Sequence, residues 1–138
     1  MSAWDCPTCG RRFARAGQGH ECAPAITVEE YFSTGPAHER PVFDALMARL
    51  ADIGTIVVEP VSVGIFLKRA GTFAQLRPMT RWVALGFSLP RIEHHRLITR
   101  KPISHGVRWY HVANIAHPDD LDDDIVGWVT EAYGNTPD

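Results

Sequence analysis

Residues 61–90, VSVGIFLKRAGTFAQLRPMTRWVALGFSLP, decide the fold because apolar side chains recur there at every second position. Short turns at Ala70-Gly71 and Pro78-Met79-Thr80 divide the stretch into three segments. Alternate positions of the first and third segments place the following residues on a shared face: Val61, Val63, Ile65, Leu67, Val83, Leu85, Phe87 and Leu89. Three strands joined by short turns predict an antiparallel meander.

Helical patterns precede these strands. Thr27 and Glu30 have the spacing of a capping box, which predicts a short helix at about residues 28–33. A second helix is predicted at roughly residues 37–52, with Pro41 in its first turn and Gly54 closing it. Its apolar stripe consists of Val42, Phe43, Leu46, Met47, Leu50 and Ile53.

Further elements follow the meander. Residues 91–104 are ambiguous, with a short strand expected at Arg96–Thr99, and Gly106–Ile115 is predicted to be another strand. Asp119–Tyr133 is predicted to be a helix whose aspartate-rich first turn suits the positive end of the helix dipole. Its inward residues are Leu121, Ile125, Trp128, Val129 and Ala132. The expected fold is α+β: an antiparallel meander sheet with helices packed mainly on one face.

Several motifs in this part of the chain resemble those of a family of small bacterial domains of unknown function. They are Ile65-Phe66, Gly71-Thr72-Phe73-Ala74, Val83–Pro90, His111-Val112 with Ile115, Asp120-Leu121-Asp122, and Trp128 with Ala132-Tyr133. The similarity covers roughly residues 30–134. It implies a domain to which no catalytic residues can be transferred. Some relatives are appended to nuclease-like domains, which favours a role with nucleic acid, and the short N-terminal finger resembles an addition found in some members.

The N-terminal segment predicts a structural zinc site. All three cysteines lie there, and Cys6, Cys9, His20 and Cys22 follow the spacing C-x2-C-x10-H-x-C. Three thiolates and one imidazole complete a closed tetrahedral Zn²⁺ site, which leaves no open position for catalysis. Pro7 and Gly10 favour the tight turn of a zinc knuckle. The first half resembles Cys2His2 zinc fingers, but the close spacing of His20 and Cys22 favours an extended segment over a recognition helix.

Two alternatives to this ligand set stay open. The cysteines can form a reduced cluster without metal, and Asp5, Glu21 or His38 can replace one of the four ligands. We predict two units: a zinc-binding knuckle over residues 1–24 and an α+β domain over residues 25–138. There is no run of 18 apolar residues and no signal peptide, so we expect no membrane span. Reduced cysteines then favour a cytoplasmic location.

Charge is unevenly distributed although the net charge is only −2. Residues 61–117 contain nine basic side chains and one acidic side chain, whereas residues 118–138 contain seven acidic side chains and no basic one. Basic and aromatic side chains interleaved on a sheet favour phosphate binding and base stacking. The candidate residues are Arg11, Arg12, Arg15, Lys68, Arg69, Arg96, Arg100, Lys101, Arg108, Trp109 and Tyr110. The alternative is that the acidic helices neutralise this region through surface ion pairs.

Catalytic patterns are weaker. His105 and His111 are the candidate general bases of an enzyme acting on phosphorylated substrates, and a single strand through both would place them on the Trp109 side, about 20 Å apart. The aspartates at residues 119–124 lack the spacing of a Ca²⁺ loop, although an aspartate pair as a metal site stays open. The first expectation is therefore a zinc-stabilised module that binds nucleic acid or a phosphorylated ligand. A protein-interaction domain docking through the acidic C-terminal helix or the finger is the alternative, and an enzyme is the third.

Overall fold

A computed structural model of the chain describes residues 3–19 and 26–136, and within these ranges it contains eight strands and three α-helices. Six strands form one antiparallel sheet: β3 (Val57–Val61), β4 (Gly64–Lys68), β5 (Thr72–Pro78), β6 (Val83–Leu89), β7 (Ile103–His105) and β8 (Arg108–Ile115). Their order across the sheet is β3-β4-β5-β6-β8-β7, and every neighbouring pair is antiparallel. The predicted α+β class and antiparallel sheet are confirmed.

Two of the three α-helices begin at side-chain caps that satisfy free N–H groups, and the third begins without one. Helix α1 (Val28–Phe32) has the predicted capping box of Thr27 and Glu30. Helix α2 covers Glu39–Arg49 and has Pro41 in its first turn. A 3-10 helix (Pro118–Asp120) precedes helix α3 (Asp123–Gly134), which begins at Asp122 because the Asp122 carboxylate accepts from the N–H of Ile125 at 3.0 Å.

One face of the sheet, here called the inner face, forms the core with the helices. Ile65, Leu76 and Leu85 are directly paired across β4, β5 and β6, and each is buried. Val42, Leu46 and Leu50 of α2 and Ile125 and Val129 of α3 join the same apolar cluster. The predicted helical stripes therefore cover this face.

The outer face is covered at one end by the N-terminal segment. Strands β1 (Trp4–Asp5) and β2 (Arg12–Phe13) form a small antiparallel ladder, and residues 3–19, here called the knuckle, lie against β3 and β4. The contact is a buried charge cluster: Glu59 accepts from Arg11 at 2.8 Å and from Lys68 at 3.0 Å. Lys68 also donates to the Arg12 carbonyl at 2.8 Å and lies over the Phe13 ring.

The strand boundaries differ from the sequence-based prediction in two places. The predicted strand from Val61 to Leu67 is divided by a turn at Ser62-Val63, which leaves the Val63 side chain 57% exposed. The expected strand at Arg96–Thr99 is wrong, because these residues form a turn and loop that reaches β8 through the N–H of Asn114 and the Leu97 carbonyl at 2.9 Å. The edge strand is β7 instead.

Two smaller expectations also change. Helix α2 ends at Arg49, and Gly54 lies in the following loop with a φ of +139°. His105 and His111 do not belong to one strand, because Gly106 (φ +63°) and Val107 reverse the chain between β7 and β8. The His105 side chain therefore shares the outer face with Arg108 and Tyr110.

Candidate functional site

A shallow trough runs along β6 on the outer face of the sheet. Its floor consists of Ala84, Gly86 and Ser88, the small residues that alternate with the buried core residues of β6. Gln75 and Arg77 of β5 lie along one side, and residues 108–114 of β8 lie along the other. The small floor residues leave room above the strand for larger side chains from its neighbours.

Tyr110 crosses this trough from β8. Its hydroxyl accepts a hydrogen bond from the Gln75 side-chain amide at 2.6 Å, and a methyl group added at Gly86 would overlap the phenol. Glycine at residue 86 is thus required by the close approach of the Tyr110 side chain. Burial raises the pKa of Tyr110, while the Gln75 hydrogen bond and the positive charges of Arg77 and Arg100 act in the opposite direction. The phenol therefore lies within the electrostatic influence of two arginines.

A cleft of about 200 Å³ opens beside Tyr110, towards the end of the sheet where β7 and β8 meet. Its polar lining comes from Thr72, Gln75, Ser88, His105 and Arg108. One side is closed by the C-terminal part of α3, whose Asn135 carbonyl accepts from Arg108 at 2.8 Å. The cleft therefore combines the Tyr110 ring with hydroxyl, amide, imidazole and guanidinium groups.

Four exposed basic residues have no ion-pair partner among the described residues. Arg77 and Arg81 come from the end of β5 and the following turn, and Arg100 and Lys101 come from the loop before β7. Arg15 of the knuckle is also exposed and has no ion pair within residues 3–19 and 26–136. These groups supply uncompensated positive charge near the trough.

The other predicted phosphate-binding residues have partners. Arg69 donates to the carbonyls of Tyr133 and Thr136 at the end of α3, where basic groups compensate the helix dipole. Arg12 pairs with Asp5 at 3.0 Å, while Arg96 lies 3.9 Å from Asp120 and its side chain stays 69% exposed. Arg11 and Lys68 contact Glu59 beneath the knuckle, with Lys68 only 4% exposed. Arg11 and Lys68 therefore do not belong to the exposed basic surface.

Trp109 and Tyr110 lie on opposite faces of β8, so they do not form one stacking platform. Trp109 shares the inner side with His111, whose Nδ1–H donates to the Trp109 carbonyl at 2.9 Å. His111 is fully buried, stacks on Phe87 and accepts from the Glu93 N–H at 3.0 Å through Nε2. Burial lowers the pKa of His111. Both ring nitrogens of His111 thus form hydrogen bonds within the fold, which indicates a structural role for this residue.

The sequence reasoning did not identify Gln75, Ser88 or Thr72 as site residues. Gln75 and Arg77 are two residues apart on β5, so their side chains lie on the same face, and Gly86 is an isolated glycine within β6. An isolated glycine in a strand indicates close approach of another group, and this was the available signal. The identity of the approaching side chain depends on strand pairing, which the sequence pattern does not provide.

The knuckle places Cys6 and Cys9 in one tight turn. Gly10, with a φ of +74°, donates its N–H to the Cys6 carbonyl at 2.7 Å, and the Cys6 N–H donates to Arg11 at 2.8 Å. Cys6 is buried and Cys9 is partly buried. This turn fits the Cys-x2-Cys half of a zinc site. His20 and Cys22, the other two predicted ligands, lie outside the described residues.

The proposed substitutes for a zinc ligand have other contacts. The Asp5 carboxylate is paired with Arg12, and His38 Nε2 lies 3.3 Å from the Trp82 carbonyl. Glu21 lies outside the described residues. Asp5 and His38 are thus each engaged elsewhere.

One other group of metal-ligand residue types comes together within the described part of the chain. Ligand atoms of His95, Asp122 and Asp124 lie within 4.8 Å of one another. His95 Nδ1 accepts from the Leu97 N–H at 3.0 Å, so His95 Nε2 holds the proton and donates to Asp122 at 2.8 Å. The arrangement is explained by a hydrogen bond that orders the loop before α3.

Comparison with known proteins gives a family but no activity. No curated protein and no solved structure matches the chain. None of the helices in the described residues is long and apolar enough to cross a membrane. Residues 28–136 match the model of the family described as "Domain of unknown function (DUF5655)", which confirms the expected domain of unknown function. Since this match covers most of the 138 residues, the chain belongs to the DUF5655 family.

Proposed function

We propose that the protein is a zinc-stabilised binding module whose outer sheet face holds nucleic acid through its phosphates. The observation that carries the proposal is the position of Arg77 and Arg100, exposed and without ion pairs among the described residues, beside the Tyr110 phenol. Exposed arginines and lysines bind phosphates by charge-assisted hydrogen bonds, and their binding releases counterions from the nucleic acid. Arg81 and Lys101 extend this charge, and we name the four residues the basic rim.

The charge distribution supports an anionic ligand on this face. Acidic side chains of α3 pair with Arg49 and Arg91, and Asp120 of the 3-10 helix lies beside Arg96. The four residues of the basic rim have no such acidic partner within residues 3–19 and 26–136. A phosphate chain supplies the missing negative charge. The expectation that related domains adjoin nuclease-like domains agrees with such a ligand.

We also propose that Cys6, Cys9, His20 and Cys22 hold a structural Zn²⁺. The Cys6–Gly10 turn supports the first pair of ligands, and the bound ion would fix the knuckle against β3 and β4. Thiolate ligands require reducing conditions, so the proposal includes a cytoplasmic location. Elemental analysis of protein purified without chelator should give one zinc per chain, and Cys9→Ser should lower that ratio. Absence of zinc from the wild-type protein would contradict the site.

Fluorescence anisotropy tests nucleic-acid binding. Zinc-loaded protein is titrated into labelled single-stranded DNA, duplex DNA and RNA at about 50 and 200 mM salt, because phosphate-driven binding weakens steeply with salt. An Arg100→Ala, Lys101→Ala variant should bind more weakly and show a reduced salt slope, by about 0.7–0.9 for each lost phosphate contact.

The matched control is Arg40→Ala with Arg49→Ala, which removes the same charge from α2. Both arginines form ion pairs, and their side chains are exposed to a similar extent, at 42% for Arg40 and 41% for Arg49. This control should bind like the wild-type protein, apart from a small uniform effect of net charge. No binding to any of the three nucleic acids would contradict the proposal. The protein-interaction alternative would then be tested by affinity capture after nuclease treatment.

A further inference from the structure

The cleft beside Tyr110 has the size and lining of a site for one planar ring. Its volume of about 200 Å³ lies below the roughly 300–1,000 Å³ of pockets that enclose drug-sized molecules. The Tyr110 ring lines the cleft and offers an aromatic surface. Ser88, Thr72 and His105 present groups that can both donate and accept hydrogen bonds. A nucleobase has the same combination of an apolar face and a polar edge.

Positively charged side chains lie close to this cleft. Gln75 lines the cleft, and Arg77 follows two residues later on the same face of β5, a spacing of about 7 Å along an extended strand. Arg100 follows Thr99, whose hydroxyl accepts from the Asn114 side-chain amide of β8 at 3.1 Å. A base in the cleft therefore has its attached sugar and phosphate directed towards arginines that have no ion-pair partner among the described residues.

We infer that the cleft binds one unpaired nucleobase, stacked against Tyr110, of a single strand whose phosphates contact Arg77 and Arg100. The inference rests on the proposed function and deepens it from nucleic acid to single-stranded nucleic acid. In a duplex, each base is stacked between its neighbours and its face is unavailable to a protein ring. A duplex can still contact the basic rim, but it cannot fill the cleft.

Tyr110 is already positioned for stacking in the unliganded protein. Its hydroxyl is held by Gln75, which limits the rotation of the phenol without using the ring faces. The ring therefore loses little conformational freedom when a base binds, and stacking on aromatic side chains contributes about 1–3 kcal/mol per base. That contribution corresponds to a difference of roughly 5-fold to 100-fold in affinity.

The test compares three labelled ligands of equal phosphate number: oligo(dT), the same strand with abasic residues, and a duplex of half that length. We expect the wild-type protein to bind oligo(dT) at least fivefold more tightly than the abasic strand. Gly86→Ala should abolish this difference, because its methyl group displaces Tyr110 without altering charge. The salt dependence measured on the abasic strand should stay unchanged in this variant.

Gly127→Ala is the matched control, since Gly127 is an exposed residue of α3 whose added methyl group meets nothing within 4 Å. Ser88→Leu, which fills the cleft from its floor, is the second variant if Gly86→Ala fails to fold. Equal, salt-dependent binding of all three ligands by the wild-type protein would overturn the base site and leave the phosphate surface intact. No binding of any ligand would overturn both proposals. Equally tight binding of polyglutamate of the same charge would overturn base recognition.

Discussion

At the scale of single residues, Glu39 and Tyr31 form the most buried polar pair of the helical layer that the structure describes. The Tyr31 hydroxyl donates to the Glu39 carboxylate at 2.8 Å, and Glu39 is only 2% exposed. Burial raises the pKa of Glu39, and this effect exceeds the opposing hydrogen bond from Tyr31 and the charge of His38. Folding therefore disfavours the charged form of Glu39 relative to the unfolded chain.

A Glu39→Gln substitution should preserve or slightly raise stability at pH 7, because the amide oxygen still accepts from Tyr31 and no charge is buried. Glu39→Ala should instead destabilise the fold by about 1–3 kcal/mol, since the Tyr31 hydroxyl loses its acceptor. Because the folded pKa of Glu39 is raised, its contribution to stability is fully present below about pH 4.3 and is lost as the pH rises through the folded pKa.

Urea unfolding at several pH values measures both effects. The advantage of Glu39→Gln over the wild-type protein should grow from acidic to neutral pH. A wild-type protein that is more stable than Glu39→Gln by the same amount at every pH would contradict the raised pKa of Glu39.

His111 should make stability fall in mildly acid solution. Burial lowers its folded pKa, and Arg91 and His94 act in the same direction, while Glu93 and the Trp109 carbonyl oppose them. The unfolded chain therefore binds a proton more readily, so the contribution of His111 is lost as the pH falls below about 6.5. His111→Phe keeps the ring stacked on Phe87 but cannot be protonated.

Thermal or urea unfolding of wild-type and His111→Phe proteins at pH 7.5 and 5.5 measures the pH-dependent contribution of His111 to stability. The variant should be less stable at pH 7.5, because the Glu93 N–H loses its acceptor, and the difference should shrink at pH 5.5. A difference that is the same at both pH values would show that His111 does not titrate in this range.

At the scale of secondary-structure elements, the sequence pattern identified the helices better than the strand boundaries. The capping box of Thr27 and the stripe of α2 follow from local chemistry, and both are found in the structure. The turn at Ser62-Val63 was missed because Val61, Val63 and Ile65 continue the two-residue period through it. Periodicity does not show where an antiparallel chain reverses, and it therefore placed Val61 on the face of Ile65, whereas its pairing with Gly64 puts it on the opposite face.

The candidate site was predicted only in part for the same reason. The basic character of residues 61–117 is visible in the sequence, and Arg100, Lys101 and Tyr110 lie in or beside the trough. Lys68 is buried under the knuckle, where it pairs with Glu59, its diagonal neighbour on a strand absent from the prediction. The hydrogen bond between Gln75 and Tyr110 depends on the pairing of β5, β6 and β8.

The contact between the knuckle and β3–β4 gives a prediction at this scale. Glu59 and Lys68 side chains are each 5% exposed, and removal of Lys68 leaves Arg11 as the remaining ion-pair partner of the buried Glu59 carboxylate. Lys68→Ala should therefore destabilise the protein by about 1.5–3 kcal/mol, the contribution of a hydrogen bond to a charged group, whereas loss of the exposed Arg12–Asp5 pair should leave stability nearly unchanged. Arg12→Ala is the control.

Chemical unfolding of the zinc-loaded proteins measures these differences. Limited proteolysis should also cut the knuckle of Lys68→Ala faster than that of Arg12→Ala. Combining Lys68→Met with Glu59→Leu and Arg11→Met should recover most of the loss, because none of the three charges then stays buried. Equal stability of Lys68→Ala and Arg12→Ala would contradict the buried contact.

At the scale of the whole molecule, the proposed zinc site and the charge cluster should act together. Removal of zinc by a chelator should loosen the knuckle and expose the Glu59–Lys68 pair, while the DUF5655 domain over residues 28–136 keeps its sheet. We expect a lower unfolding midpoint with little change in the far-ultraviolet circular dichroism spectrum. Cys22→Ser should reproduce the effect, and re-added zinc should reverse it only in the wild-type protein. Complete loss of the sheet signal on chelation would contradict two separable units.

Side chains of the seven residues of β6 point alternately into the core and into the trough, so substitutions at neighbouring positions should have different consequences. Val83, Leu85, Phe87 and Leu89 are packed in the core, while Ala84, Gly86 and Ser88 form the floor of the trough. A saturation scan of residues 83–89 should therefore return two interleaved phenotypes. Substitutions at odd positions should lower protein abundance, whereas substitutions at Ala84 and Ser88 should leave abundance high while changing the ligand spectrum. Variation among natural DUF5655 sequences at these two positions would then record differences in what each member binds.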